Sequence, residues 1–146
     1  MPDVIREDAF IDTFILPAKR DRYKQLLANP RRRSEFLDRL NHNLDFIPAL
    51  ARQIPGSQHF AEGVVRLLCK RGMETADTVY IISDSRELDG LSLSLQQAVE
   101  QVMAAGSGSI VCCLAGRLAY YRPEEPANGY VLEKPEATKS KSGSAV

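Results

Sequence analysis

The apolar residues of this chain change their period once, near Thr75, and that change limits the fold more than any other feature. Before it, apolar side chains recur every three or four positions, the spacing that lines one face of a helix. After it come three short runs rich in β-branched and aromatic residues: "TVYIIS" (78–83), "SIVCCL" (109–114) and "RLAYYR" (117–122). Such runs suit strands buried in a sheet. Helices followed by strands predict an α+β (mixed α/β) fold in which N-terminal helices pack on a small mixed β-sheet. With 146 residues and no internal repeat, one domain is expected over 1–134, its helical half at 7–72 and its sheet half at 77–134.

The helical half divides at its prolines and caps. Asp8 precedes the turn pattern Ala9, Phe10, Thr13, Phe14, and Pro17 opens a second helix to about Leu27. Asn29 as cap and Pro30 as first helical residue start a third, whose stripe is Phe36, Leu37, Leu40 and Leu44. On that stripe the arginines of "PRRRS" face water. Pro48 and Pro55 bracket a segment too short for a long element. Ser57 is placed to cap a helix that buries Phe60, Val64, Leu67 and Leu68 and stops at Gly72.

In the sheet half, Ser94 and Gln97 form a capping box ahead of the stripe Leu95, Ala98, Val99, Val102, Met103, and Gly106 closes the helix. The order strand, helix, strand predicts one β-α-β crossover, with strands 78–83 and 109–114 parallel. Ala115 and Gly116 then form the turn of a β-hairpin. Along the first strand of that hairpin Ile110, Cys112 and Leu114 share one face, Val111 and Cys113 the other. "YVLEK" (130–134) reads as an edge strand, and 135–146 as a disordered tail with too little apolar content to pack.

Parallel strands would deliver their carboxyl ends to one edge of the sheet. That edge is the predicted ligand site: Ser83, Asp84, Glu87 and Asp89 from the first strand and its loop, with Gly116 and Arg117 from the hairpin turn. A small anionic ligand could be held there by Arg117 and a helix amino end, or a cation by the carboxylates. The plainer alternative is that Asp84 and Asp89 shape turns and Arg117 pairs with a loop acid. No catalytic residues, cofactor or metal ligands are assigned, because the acids lack calcium-loop spacing and no histidine joins them. A nucleophilic thiol would need a histidine, cation or helix amino end beside Cys112 or Cys113, and none is adjacent in sequence. His42 and His59 read as structural. "GSGS" (106–109) joins a helix to a strand and lacks the lysine of a phosphate loop.

Nineteen basic and nineteen acidic residues cancel, so no global attraction to nucleic acid exists. Locally, residues 17–41 carry eight basic against three acidic side chains. The basic patch Lys19, Arg20, Arg22, Lys24, Arg31, Arg32 and Arg33 offers contact with phosphates, but no recognition motif or aromatic platform accompanies it, which argues against nucleic acid. The acidic start "MPDVIREDAFIDTF" does not fit a signal peptide and no run approaches the ~20 apolar residues of a membrane span, so a cytoplasmic protein without membrane contact is expected. Three cysteines without CxxC spacing read as free thiols. Together these features suggest a small binding or interaction module whose partner is another protein or a second copy. The alternatives are an enzyme acting on a small phosphorylated or carboxylated metabolite at the sheet edge, and nucleic-acid binding through the basic helices.

Overall fold

A computed structural model describes residues 2–42, 44–124 and 128–135. Five helices, α1 (Val4–Phe14), α2 (Pro17–Ala28), α3 (Arg33–Arg39), α4 (Ala61–Cys69) and α5 (Leu95–Ala105), sandwich a six-stranded sheet. Its strands are β1 (Ala51–Gln53), β2 (Thr78–Ser83), β3 (Ser92–Ser94), β4 (Ser109–Leu114), β5 (Leu118–Arg122) and β6 (Tyr130–Glu133), in the order β1-β6-β5-β4-β2-β3. The α+β class therefore holds. The disordered tail expected at 135–146 lies, after Pro135, outside the described residues.

Two-residue alternation along the strands splits the interior into two cores. Tyr80, Ile82, Ile110, Ala119, Tyr121 and Leu132 face α1, α2 and α3, where they meet Phe10, Ile11, Phe14, Tyr23, Leu26, Phe36 and Leu40. Val79, Ile81, Val111, Leu118, Tyr120 and Val131 face α4 and α5, against Val64, Leu68, Leu95, Ala98, Val99 and Val102. Removing each large aliphatic side chain from water contributes about 1.5–3 kcal/mol, and the two faces of the sheet together supply the apolar surface that one face could not.

The pairing of β2 with β4 is antiparallel, Ser83 opposite Ser109 and Tyr80 opposite Cys112, not parallel as expected. The cause is a three-residue strand hidden in "DGLSLS". Gly90, at φ +83°, turns the chain so that β3 runs back along β2, and α5 leaves from β3. The crossover exists, but it joins β3 to β4, which are parallel to each other on either side of β2. Every neighbouring pair in the sheet is antiparallel.

Local chemistry sets most boundaries. Asp3, not Asp8, caps α1 by accepting from the Arg6 amide, so the helix starts a turn early and leaves Val4 and Ile5 exposed. Ser57 does not cap α4; residues 56–58 form a 3₁₀ turn and α4 begins at Ala61. Ser94 caps α5 as expected, with the Gln97 amide donating to Ser94 Oγ at 3.2 Å, but the Gln97 side chain accepts from the Ser94 hydroxyl in place of the Ser94 amide that a full box would use. The hairpin turn also forms: the Arg117 amide donates to the Leu114 carbonyl at 3.0 Å and Gly116 takes φ +73°. A bulge between Cys112 and Leu114 moves Leu114 off the Ile110 face and against the α4–α5 core. Strand β6 is interior, because β1, three residues with no strand signature, pairs outside it.

Gly108 of "GSGS" has a packing role. A Cβ there would stand 2.3 Å from the Leu40 carbonyl carbon, so only glycine lets the β4 entry lie against the end of α3. Gly108→Ala is expected to lower the unfolding free energy by about 2 kcal/mol in urea titrations. Gly56→Ala, where the nearest atom is 3.8 Å away, serves as the near-neutral control. Equal midpoints for the two variants would contradict this packing.

Candidate functional site

The antiparallel register breaks up the site expected from the sequence. Ser83 and Asp84 lie at the end of β2 beside the start of β4, whereas Gly116 and Arg117 follow the end of β4. Ser109 and Leu114 stand five residue steps apart along β4, about 17 Å at ~3.4 Å per residue. Asp84 and Arg117 are therefore not neighbours, and a pocket combining them does not form.

The acids at the β2 end are held in structural bonds. Asp84 accepts from Asn41 Nδ2 at 2.6 Å, and Asn41 Oδ1 accepts from the Gly108 amide at 2.7 Å. Ser83 is fully buried, its hydroxyl bonded to that of Ser109 at 2.8 Å. Asp89 accepts from the Ser83 amide and from Arg33. Only Glu87 stays exposed. Among the described residues, no group of three or more His, Cys, Asp or Glu side chains is placed to hold a metal ion.

Arg33 is the largest departure from expectation. The sequence pattern places it on a solvated basic face, yet it is 8% exposed and forks between two carboxylates. Its Nη1 and Nη2 donate to Glu7 at 2.9 and 2.6 Å, its Nε and Nη2 to Asp89 at 2.9 and 3.0 Å. Glu7 also accepts from the Tyr80 hydroxyl at 2.6 Å, and that oxygen accepts from the Asp3 amide. Burial alone would favour loss of the Arg33 proton, but the two carboxylates more than offset it and hold the guanidinium charged. The rest of the patch is partly spent as well. Lys24 pairs with Asp12 at 2.7 Å, Arg32 with Glu35 at 2.9 Å, and Arg20 Nε donates to the Ile15 carbonyl. Lys19, Arg22 and Arg31 remain exposed.

At the opposite end of the sheet, a cavity of about 130 Å³ opens between α1 and the β4–β5 hairpin. Arg6, Phe10 and Phe14 line one wall, four residues apart and so on one stripe of α1. Cys112, Gly116, Leu118 and Ala119 line the other. Sequence reasoning placed Gly116 in a site but missed this one. The available signal was Arg6 itself, a cation standing in line with two buried phenylalanines.

The paired cysteines divide between the two faces of the sheet. Cys112 borders this cavity, and its thiol is pushed up to about 12 by burial, with the nearby Glu7 charge adding to the effect. Cys113 is buried and raised for the same first reason. Both are protonated at neutral pH and are poor nucleophiles. His59 bonds the Tyr120 hydroxyl through Nε2 at 2.7 Å rather than a thiol. Burial, and then the Arg122 charge, lower its pKa and favour the neutral ring.

Neither a family model, a curated protein nor a solved structure matches the chain.

Two outcomes test this geometry. Arg33→Met, which strands the buried Glu7 carboxylate and the partly buried Asp89, is expected to cost roughly 3–5 kcal/mol in urea unfolding, whereas Arg32→Met leaves the midpoint unchanged; similar midpoints would deny the network its weight. Iodoacetamide at pH 8, followed by peptide mapping, should label the partly buried Cys69 first and reach Cys112 and Cys113, whose thiols burial holds protonated, only on unfolding. Labelling of Cys112 as fast as Cys69 would contradict its protonated state.

Proposed function

We propose that this chain is a small binding module that holds a compact ligand in the cavity between α1 and the β4–β5 hairpin and performs no chemistry of its own. The observation that carries this reading is the pairing of apolar walls with a single rim cation, in a molecule where Asp84 and Asp89 are bonded elsewhere and the bordering Cys112 thiol is held protonated. A few polar groups set against a largely apolar lining is the usual composition of a small-molecule site. The size is of the same order as a cavity that admits benzene, about 130 Å³ here against roughly 150 Å³ there.

The enzyme alternative rested on Asp84 and Arg117 facing one substrate, and the strand register removes that support. The nucleic-acid alternative loses Arg33 from its surface, and with it the continuity of "RRR". No helix among the described residues is long and apolar enough to cross a membrane.

Amide chemical shifts recorded against a panel of neutral and charged compounds of about six to ten non-hydrogen atoms test the reading. Perturbations should cluster at Arg6, Phe10, Cys112 and Gly116. Cys112→Met, which extends a longer side chain into the cavity, should abolish them while preserving the rest of the spectrum. Perturbations confined to other surfaces, or undiminished in Cys112→Met, would overturn the proposal.

A further inference from the structure

The binding reading leaves the ligand's chemistry open, and the rim of the cavity narrows it. Arg6 makes one ion pair among the described residues, from Nε to Asp3 at 3.6 Å, which is longer than a hydrogen bond. Its Nη1 and Nη2 donate to no described side chain or carbonyl. Arg33, one layer deeper, spends both edges of its guanidinium on carboxylates. Arg6 thus keeps the planar fork that binds a carboxylate through two parallel N–H bonds.

The helix aligns that fork with the apolar part of the site. Phe10 follows Arg6 by one turn and Phe14 by two, their rings 5.4 Å apart, so charge stands at the mouth and aromatic surface below it. Nearby negative charge is partly drawn off: Glu7 pairs with Arg33, and Asp3 accepts from the Arg6 amide that it caps. A cation entering the mouth would meet Arg6 head on. A neutral molecule would gain only the apolar contact.

We infer, on the basis of the binding reading above, that the ligand is a compact monocarboxylate whose apolar body fills the cavity against Phe10, Phe14 and Ala119 and whose carboxylate is held by the Arg6 fork. Asp3 is then the internal rival for the same guanidinium. Its removal should help the ligand, and asparagine caps a helix as well as aspartate does, so the rivalry can be removed without unwinding α1.

Benzoate, benzyl alcohol and benzylamine share a ring and differ in charge, and titrating each at low salt into the wild type, Arg6→Gln and Asp3→Asn separates the contributions. Benzoate is expected to bind at least tenfold more tightly than benzyl alcohol, as a charge-assisted bond would provide, and benzylamine not at all over the same range. Arg6→Gln should bring benzoate down to the level of benzyl alcohol, and Asp3→Asn should tighten benzoate alone. Equal binding of benzoate and benzyl alcohol at the cavity, unmoved by either variant, would overturn the carboxylate assignment while leaving the site intact. Cavity resonances that respond to none of the three compounds would remove the site itself. Benzoate shifts that persist in Arg6→Gln at other surfaces would mark an adventitious ion only and overturn the assignment.

Discussion

Arg33 ties α1 and α3 to the loop after β2 through two carboxylates that stand 26 and 56 positions away in the chain. Two charged acids and one guanidinium do not cancel, and the excess negative charge is stabilised by donors around it: the Tyr80 hydroxyl toward Glu7 and the Ser83 amide toward Asp89. A buried charge network is tolerable when every member is satisfied, and here the helical layer seats on the sheet only in the orientation that satisfies all of them. Apolar packing between Phe10, Phe14 and Tyr121 supplies attraction without direction; the forked bonds supply direction.

That constraint reaches the cavity. Glu7 adjoins Arg6 in the first turns of α1, so anchoring one fixes the approach of the other. The stripe Arg6, Phe10, Phe14 is held at a set height above β4 and β5, and the void between them persists because the helix cannot settle further. Cys112, on the opposite wall, is small, and a bulge redirects the chain just after it. The space follows from a short side chain, a kinked strand and a helix anchored at its other face.

Features decided within a few residues were legible in the sequence. Helix α5 announced itself through Ser94, Gln97 and Gly106, and the β4–β5 hairpin through Ala115 and Gly116, because caps and turns are local chemistry. Features decided at long range were not. Strands β1 and β3 are three residues each, "ARQ" and "SLS", and owe their conformation to the strand beside them. The missed β3 reversed β2 relative to β4, and this single omission dispersed Ser83, Asp84, Glu87 and Asp89 from Gly116 and Arg117. Arg31, Arg32 and Arg33 are identical in type; Arg33 alone shares the stripe of Phe36 and Leu40, and the positions of Glu7 and Asp89 in space give it its partners. The rim cation was accessible in principle, since Arg6 shares a helical stripe with Phe10 and Phe14.

Strand β1 comes from the segment between α3 and α4, yet it lies outside β6, near the end of the described chain. The outer border of the sheet is thus supplied by the half of the polypeptide that is otherwise helical, and α4 from that same half covers the far face. Severing the backbone near Thr75 would yield two fragments, neither with a complete interior: one would present a bare β6 edge, the other helices without a surface to rest on. Their natural recourse is each other, so recovery of the fold from the cut pieces would proceed by fragment complementation rather than by independent folding.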